Sequence, residues 1–116
     1  MTDKEGFTRL CRLSDLKENE GKKFIIDEAE IALIKAEGEV FALDNICPHQ
    51  HAAIIYDGFV EEGCIVCPAH GWMFDLKSGC MKTGSRGLKS YKVKVIDNYV
   101  YVKAEGRYSK FNEADK

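Results

Sequence analysis

The sequence predicts an all-β fold: a frame of strands with a loop-rich segment inserted between the early and late ones. Three observations carry this. Apolar and polar residues alternate with period two in both flanks, as where Tyr91, Val93 and Val95 alternate with Lys92 and Lys94. Short turn signals join such runs. No segment repeats its apolar residues with the period of a long amphipathic helix.

Phe7 to Leu13 reads as the first strand. Ser14 is placed to cap one short helical turn, Asp15 to Glu20, which Gly21 ends. Phe24 to Asp27 reads as a strand. Ile31 to Ala36 and Val40 to Leu43 flank Glu37-Gly38-Glu39, a tight turn in which Gly38 supplies a positive φ. Near the end, Asp97-Asn98 separates the Tyr91–Val95 run from Tyr99 to Lys103, a hairpin whose turn residues both tolerate the left-handed conformation. Between these flanks, residues 45–87 are rich in Gly, Cys and His and hold every histidine of the chain. Residues from about Lys110 onward read as a frayed polar end.

The 116 residues suit one domain, 1–116, with the loop-rich subdomain at roughly 45–87. Seventeen Lys and Arg against nineteen Asp and Glu leave a formal charge of −2, which argues against a nucleic-acid partner. The first residues, Met1 to Gly6, are charged and lack the apolar region of a secretory signal. No apolar run approaches the ~20 residues that span a bilayer, so no membrane anchor is expected and the reading is cytoplasmic. In a reducing compartment, clustered Cys and His point to metal rather than to disulfides.

Two segments carry the chemistry: Cys47-Pro48-His49-Gln50-His51-Ala52 and Cys67-Pro68-Ala69-His70-Gly71-Trp72. One residue separates Cys47 from His49, two separate Cys67 from His70, and seventeen lie between the pairs. Each segment offers a thiolate and an imidazole, a donor set suited to iron or to zinc. Proline after each cysteine stiffens the loop. Cys₂His₂ is also a structural zinc set, so a zinc-stabilised interaction module is an alternative on the residues alone. Cys11, Cys64 and Cys80 read as small buried hydrophobes. Cys64 and Cys67 would face opposite sides of a strand, which makes Cys64 a poor co-ligand. Trp72 and Phe74 read as core aromatics, Glu61-Glu62 as a solvated turn, and His51 as a solvated or partner-contacting side chain.

The pattern C-P-H followed by C-P-x-H-G-W resembles the binding loops of Rieske [2Fe–2S] proteins. The similarity continues through Phe74-Asp75-Leu76-Lys77-Ser78-Gly79 into the terminal hairpin. The resemblance implies that Cys47 and Cys67 hold one iron of a single [2Fe–2S] cluster, and His49 and His70 the other. It implies a Rieske-like fold, a sandwich- or barrel-like base of antiparallel sheets with a small loop-rich cluster-binding subdomain, and the role of a one-electron carrier, not an enzyme, between an electron-donor reductase and an electron-acceptor oxygenase or reductase. A small Rieske subunit of a nitrite reductase or other oxidoreductase is the alternative. The family pattern also places the Gly-rich loop from Lys82 to Gly87 against the cluster. High-potential relatives carry an extra cysteine in each loop and nearby hydroxyls; here those places are Ala52, Ala69, Trp72 and Phe74. Fewer donors to the sulfurs imply a low potential, near −150 mV in a window of roughly −150 to +300 mV.

Overall fold

The computed structural model describes residues 6–47, 52–69, 71–81 and 87–103. Their strands are β1 (Phe7–Arg12), β2 (Glu20–Ile26), β3 (Ala29–Ala36), β4 (Glu39–Asp44), β5 (Phe59–Glu61), β6 (Cys64–Val66), β7 (Met73–Asp75), β8 (Ser90–Ile96) and β9 (Tyr99–Lys103). Four hairpins turn on two successive residues with positive φ: Asp27-Glu28, Glu37-Gly38, Glu62-Gly63 and Asp97-Asn98. Two positive φ values in a row twist the chain the way two flanking strands need. The Glu37-Gly38 and Asp97-Asn98 turns lie where the sequence places them. Asp27-Glu28 carries no glycine and gives no such signal. The solvated turn expected at Glu61-Glu62 sits one residue later, because Glu61 still pairs with Cys64.

The strands form two antiparallel sheets, one ordered β1-β9-β8-β4-β3-β2 and the other β5-β6-β7. The all-β antiparallel expectation therefore holds. Within the larger sheet, β4 meets β8 only at Ala42–Tyr91 and Leu43–Ser90. Asp44 reinforces that joint. Its carboxylate accepts the Tyr91 hydroxyl at 2.6 Å and the Lys89 N–H at 3.3 Å, and its own N–H donates to the Lys89 carbonyl at 2.9 Å.

β3 is buried on both faces, and its period-two alternation divides its side chains between two cores. Ala29, Ile31 and Leu33 join Ile26, Ala42, Tyr91, Val100 and Val102 inside the larger sheet. Ala32, Ile34 and Ala36 face a second core with Leu43, Ile55, Ile65 and Phe74, which the small sheet closes. This second core contains Cys47 and Cys67.

The expected helical turn from Asp15 to Glu20 is corrected. A 3-10 turn spans Leu13–Asp15, and Glu20 and Gly21 already belong to β2. Gly21 is therefore not a helix terminator. A Cβ there would lie 2.6 Å from the Tyr56 carbonyl oxygen, so glycine permits close passage of β2 over a second 3-10 turn, Ile55–Asp57. No helix of the described residues is long and apolar enough to cross a membrane.

Candidate metal centre

Each cysteine of the two motifs is delivered by a pinned loop. The first leaves β4 at Asp44 and returns at the second 3-10 turn. Ile46 and Ala53 form an antiparallel bridge, and the Cys47 N–H donates to the Ala52 carbonyl at 3.0 Å. The Ile55 N–H donates to the Asn45 carbonyl at 3.1 Å, and the Tyr56 N–H to the Asn45 side-chain oxygen at 2.7 Å. The second loop is the tip of the β6–β7 hairpin. There the Cys67 N–H donates to the Trp72 carbonyl at 2.8 Å, and the Gly71 N–H to the Cys67 carbonyl at 2.9 Å. The strands β6 and β7 are short but firmly seated, since Ile65 and Phe74 are both fully buried.

These loops bring the two thiols together. Cys47 is 0 % and Cys67 1 % exposed, and their sulfurs lie 3.6 Å apart. A disulfide would need about 2.05 Å. Two thiolates on one tetrahedral metal, each bonded at about 2.3 Å, sit about 3.8 Å apart. The spacing thus fits two ligands of one metal ion. Their surroundings are apolar, and a pair of buried thiolates is costly there unless a cation neutralises it. The donor chemistry and the spacing both fit one iron of the cluster.

Among the other cysteines, Cys64 is buried at the start of β6 as expected. Cys11 is only partly buried, and burial, with Asp15 nearby, raises its thiol above the ordinary range. Cys80 is exposed, which corrects its reading as a buried hydrophobe. It follows a turn whose backbone is held instead: the Cys80 carbonyl accepts the Asp75 N–H at 2.8 Å. Trp72 packs against the cysteine core and Phe74 lies within it, as the sequence indicates. His49, His51, His70, the segment 82–86 and the tail beyond residue 103 lie outside the described residues.

Three supports of the site lie outside the two Cys-His segments. Asp44 and Asn45 are the first two, at the exit of β4. Their signal, two consecutive short polar side chains ending an apolar strand and two residues before a motif cysteine, is visible only in retrospect. The third is Asp75 at the end of β7. Its carboxylate accepts the N–H groups of Lys77 at 3.1 Å and Ser78 at 2.8 Å and the Ser78 hydroxyl at 3.0 Å. The Ser78 backbone hydrogen bond is the main reason its carboxyl lies below the usual range, with smaller help from the Ser78 hydroxyl, the Lys77 N–H and the Lys77 charge. Gly79, just beyond, touches the returning chain: the Leu88 N–H donates to its carbonyl at 2.7 Å, and a Cβ on Gly79 would meet the Leu88 oxygen at 2.0 Å.

The model of the Rieske-like [2Fe–2S] domain family matches residues 6–103. The ferredoxin component of an alkene monooxygenase system from Xanthobacter autotrophicus is 32 % identical over 100 residues, covering 85 % of this chain and 82 % of that protein. The ferredoxin component of naphthalene 1,2-dioxygenase and salicylate 5-hydroxylase systems from a Ralstonia species is 38 % identical over 96 residues, covering 80 % and 90 %. A solved structure assigned as the small subunit of an NADPH nitrite reductase superposes with a TM-score of 0.78 at 29 % identity, covering 84 % of this chain and 98 % of that one.

Proposed function

Because the chain belongs to the Rieske-like [2Fe–2S] domain family and carries one such cluster, we propose that Cys47 and Cys67 bind one of its irons and His49 and His70 the other. The observation behind the cysteine half is the buried pair of sulfurs 3.6 Å apart on two pinned loops. The histidine half rests on motif spacing, since each histidine follows its cysteine within three residues. The protein is an electron carrier of the ferredoxin type. It takes electrons from a reductase and hands them to an oxygenase, in the manner of the ferredoxin components it is similar to, and catalyses no reaction by itself. Its proposed place is the cytoplasm, and residues 1–116 act as one domain with the cluster-bearing part at roughly 45–87.

The cluster supplies a one-electron couple, and its mixed ligation sets that couple in a window of roughly −150 to +300 mV rather than near −400 mV. The chain does the rest. Leu43, Ile55, Ile65 and Phe74 shield the cysteine side from water. The backbone hydrogen bonds at Cys47 and Cys67 pin both loops, which limits reorganisation as the electron moves. Trp72 and Phe74 bring no hydroxyl to the sulfurs, which favours a potential at the low end of the window.

The test is chemical analysis with EPR. Purified protein contains iron and acid-labile sulfide in equal amounts and gives a rhombic signal only when reduced. Stoichiometric zinc without labile sulfide, after iron-replete expression, overturns the ligand assignment. The structural likeness to a nitrite reductase small subunit, at 29 % identity, supports a second reading as a tightly bound subunit. Stable co-purification with a large oxidoreductase chain would select that reading; reversible exchange of partners selects the free carrier.

A further inference from the structure

Among the described residues, Asn45 is the one polar side chain in the buried set, with 0 % of its surface exposed. It lies between Leu43 and Cys47, both members of the cysteine core, whereas Ala42 belongs to the other core. Asn45 sits in the bend that follows β4, two residues before Cys47, and its side chain bonds to Tyr56, which packs against the cysteine core. Three of its four polar groups are engaged. Its N–H donates to the Glu30 carbonyl at 2.9 Å, its carbonyl accepts the Ile55 N–H, and its Oδ1 accepts the Tyr56 N–H at 2.7 Å. That last bond fixes which end of the amide is oxygen, because a backbone N–H needs an acceptor there. The fourth group, Nδ2, is buried with no hydrogen-bond partner among the described residues. A buried donor without an acceptor forfeits its hydration for nothing, and each such case in a native fold calls for a missing partner.

We propose that Asn45 is a positioning residue of the centre: Oδ1 clamps the first loop shut at Tyr56, and Nδ2, whose hydrogens neither cysteine sulfur accepts, donates to inorganic sulfide of the cluster. Sulfur accepts such a hydrogen bond more strongly when the centre is reduced and more negative, so the donor stabilises the reduced state. One side chain thus sets both the shape of the loop and part of the potential. The inference rests on the ligand assignment above.

The test uses the intact, cluster-loaded protein, with asparagine carrying ¹⁵N only in the side-chain amide. Pulsed EPR of the reduced wild type shows a weak ¹⁵N coupling, and Asn45→Asp, which keeps the clamping oxygen and loses the amide nitrogen, abolishes it. The neutral, similarly sized Asn45→Leu lowers the midpoint potential, with an expected tenfold loss in the equilibrium constant for reduction, 59 mV for one electron. Absence of the ¹⁵N coupling in the wild type, as when a buried water satisfies Nδ2, overturns the proposal. So does an unchanged potential in Asn45→Leu with full iron and sulfide. If Asn45→Leu does not retain its cluster, the labelled wild type and Asn45→Asp decide. A wrong ligand assignment looks different: the wild type then gives no Rieske-type EPR signal at all.

Discussion

In the larger sheet β2 pairs with β3 over seven residue pairs, and β3 with β4 over six. In the smaller sheet β5–β6 and β6–β7 pair over three each. The long ladders carry their own register, because a one-residue slip would turn Ile31 and Leu33 out of one core and Ala32 and Ile34 out of the other. Three-residue strands have little ladder to slip against. They are held by single large side chains, Ile65 and Phe74, by the Asp75 turn, and by the proposed metal at Cys67. One region is stabilised by repetition, the other by a few anchors. A region built on few anchors is the more exposed to loss of any one of them.

The largest expected effect is at the proposed ligands. Cys67→Ser should lose the cluster, with iron falling to near background and the reduced-state EPR signal gone. Hydrogen exchange on that variant should quicken across β5–β7 far more than across β2–β4. Equal quickening in both sheets would mean that the small sheet does not depend on the centre.

Next are the two cores. Phe74 is fully buried beside the cysteines, and Leu33 is fully buried in the other core. Phe74→Ala should cost about 3–5 kcal/mol and Leu33→Ala about 2–5 kcal/mol. The two should differ in kind. Phe74→Ala reduces cluster occupancy and alters the visible spectrum, whereas Leu33→Ala lowers the denaturation midpoint and leaves the spectrum intact. Matching spectra would erase the distinction.

A smaller loss is expected where backbones touch. Gly79 has φ +81° and faces the Leu88 carbonyl, so an added Cβ meets both strain and overlap. Gly79→Ala should cost roughly 2–5 kcal/mol, from left-handed strain of about 1–2 and overlap of about 1–3. Denaturant unfolding followed by both fluorescence and cluster absorbance checks this, and the two probes should move together, since the turn adjoins the small sheet.

The smallest effect is electrostatic. The Asp75 carboxyl lies below its usual range, so its contribution is present above the unfolded-state value of about 3.9 and is lost as the pH falls through the lower folded-state value. The group is exposed, so the contribution is small. Wild type and Asp75→Asn should differ at neutral pH, with wild type the more stable, and converge only as the pH falls well below the ordinary carboxyl value of about 3.9. A gap that persists unchanged into acid would assign the effect to packing.

The fold class, the two Cys-His segments and the hairpins at Glu37-Gly38 and Asp97-Asn98 are legible in the chain alone. Those features depend on residue type and spacing within a few positions: alternation, turn chemistry, and the pairing of a thiol with an imidazole. Other features depend on distant parts of the chain and show only once it is folded. Gly21 resembles a helix terminator until the Tyr56 carbonyl is seen to pass against it. Cys80 has the chemistry of a buried residue, but the hydrogen bond from Asp75 to its carbonyl belongs to a turn that leaves its side chain outside. Asp44 and Asn45 are ordinary polar residues until β8 and the returning ligand loop supply their partners. The same holds for the 3.6 Å between Cys47 and Cys67, which are twenty positions apart in sequence. The two long-paired strands β3 and β4 and the short hairpin β6–β7 must pack on one core before those sulfurs can meet, and no local pattern encodes a distance set by two sheets.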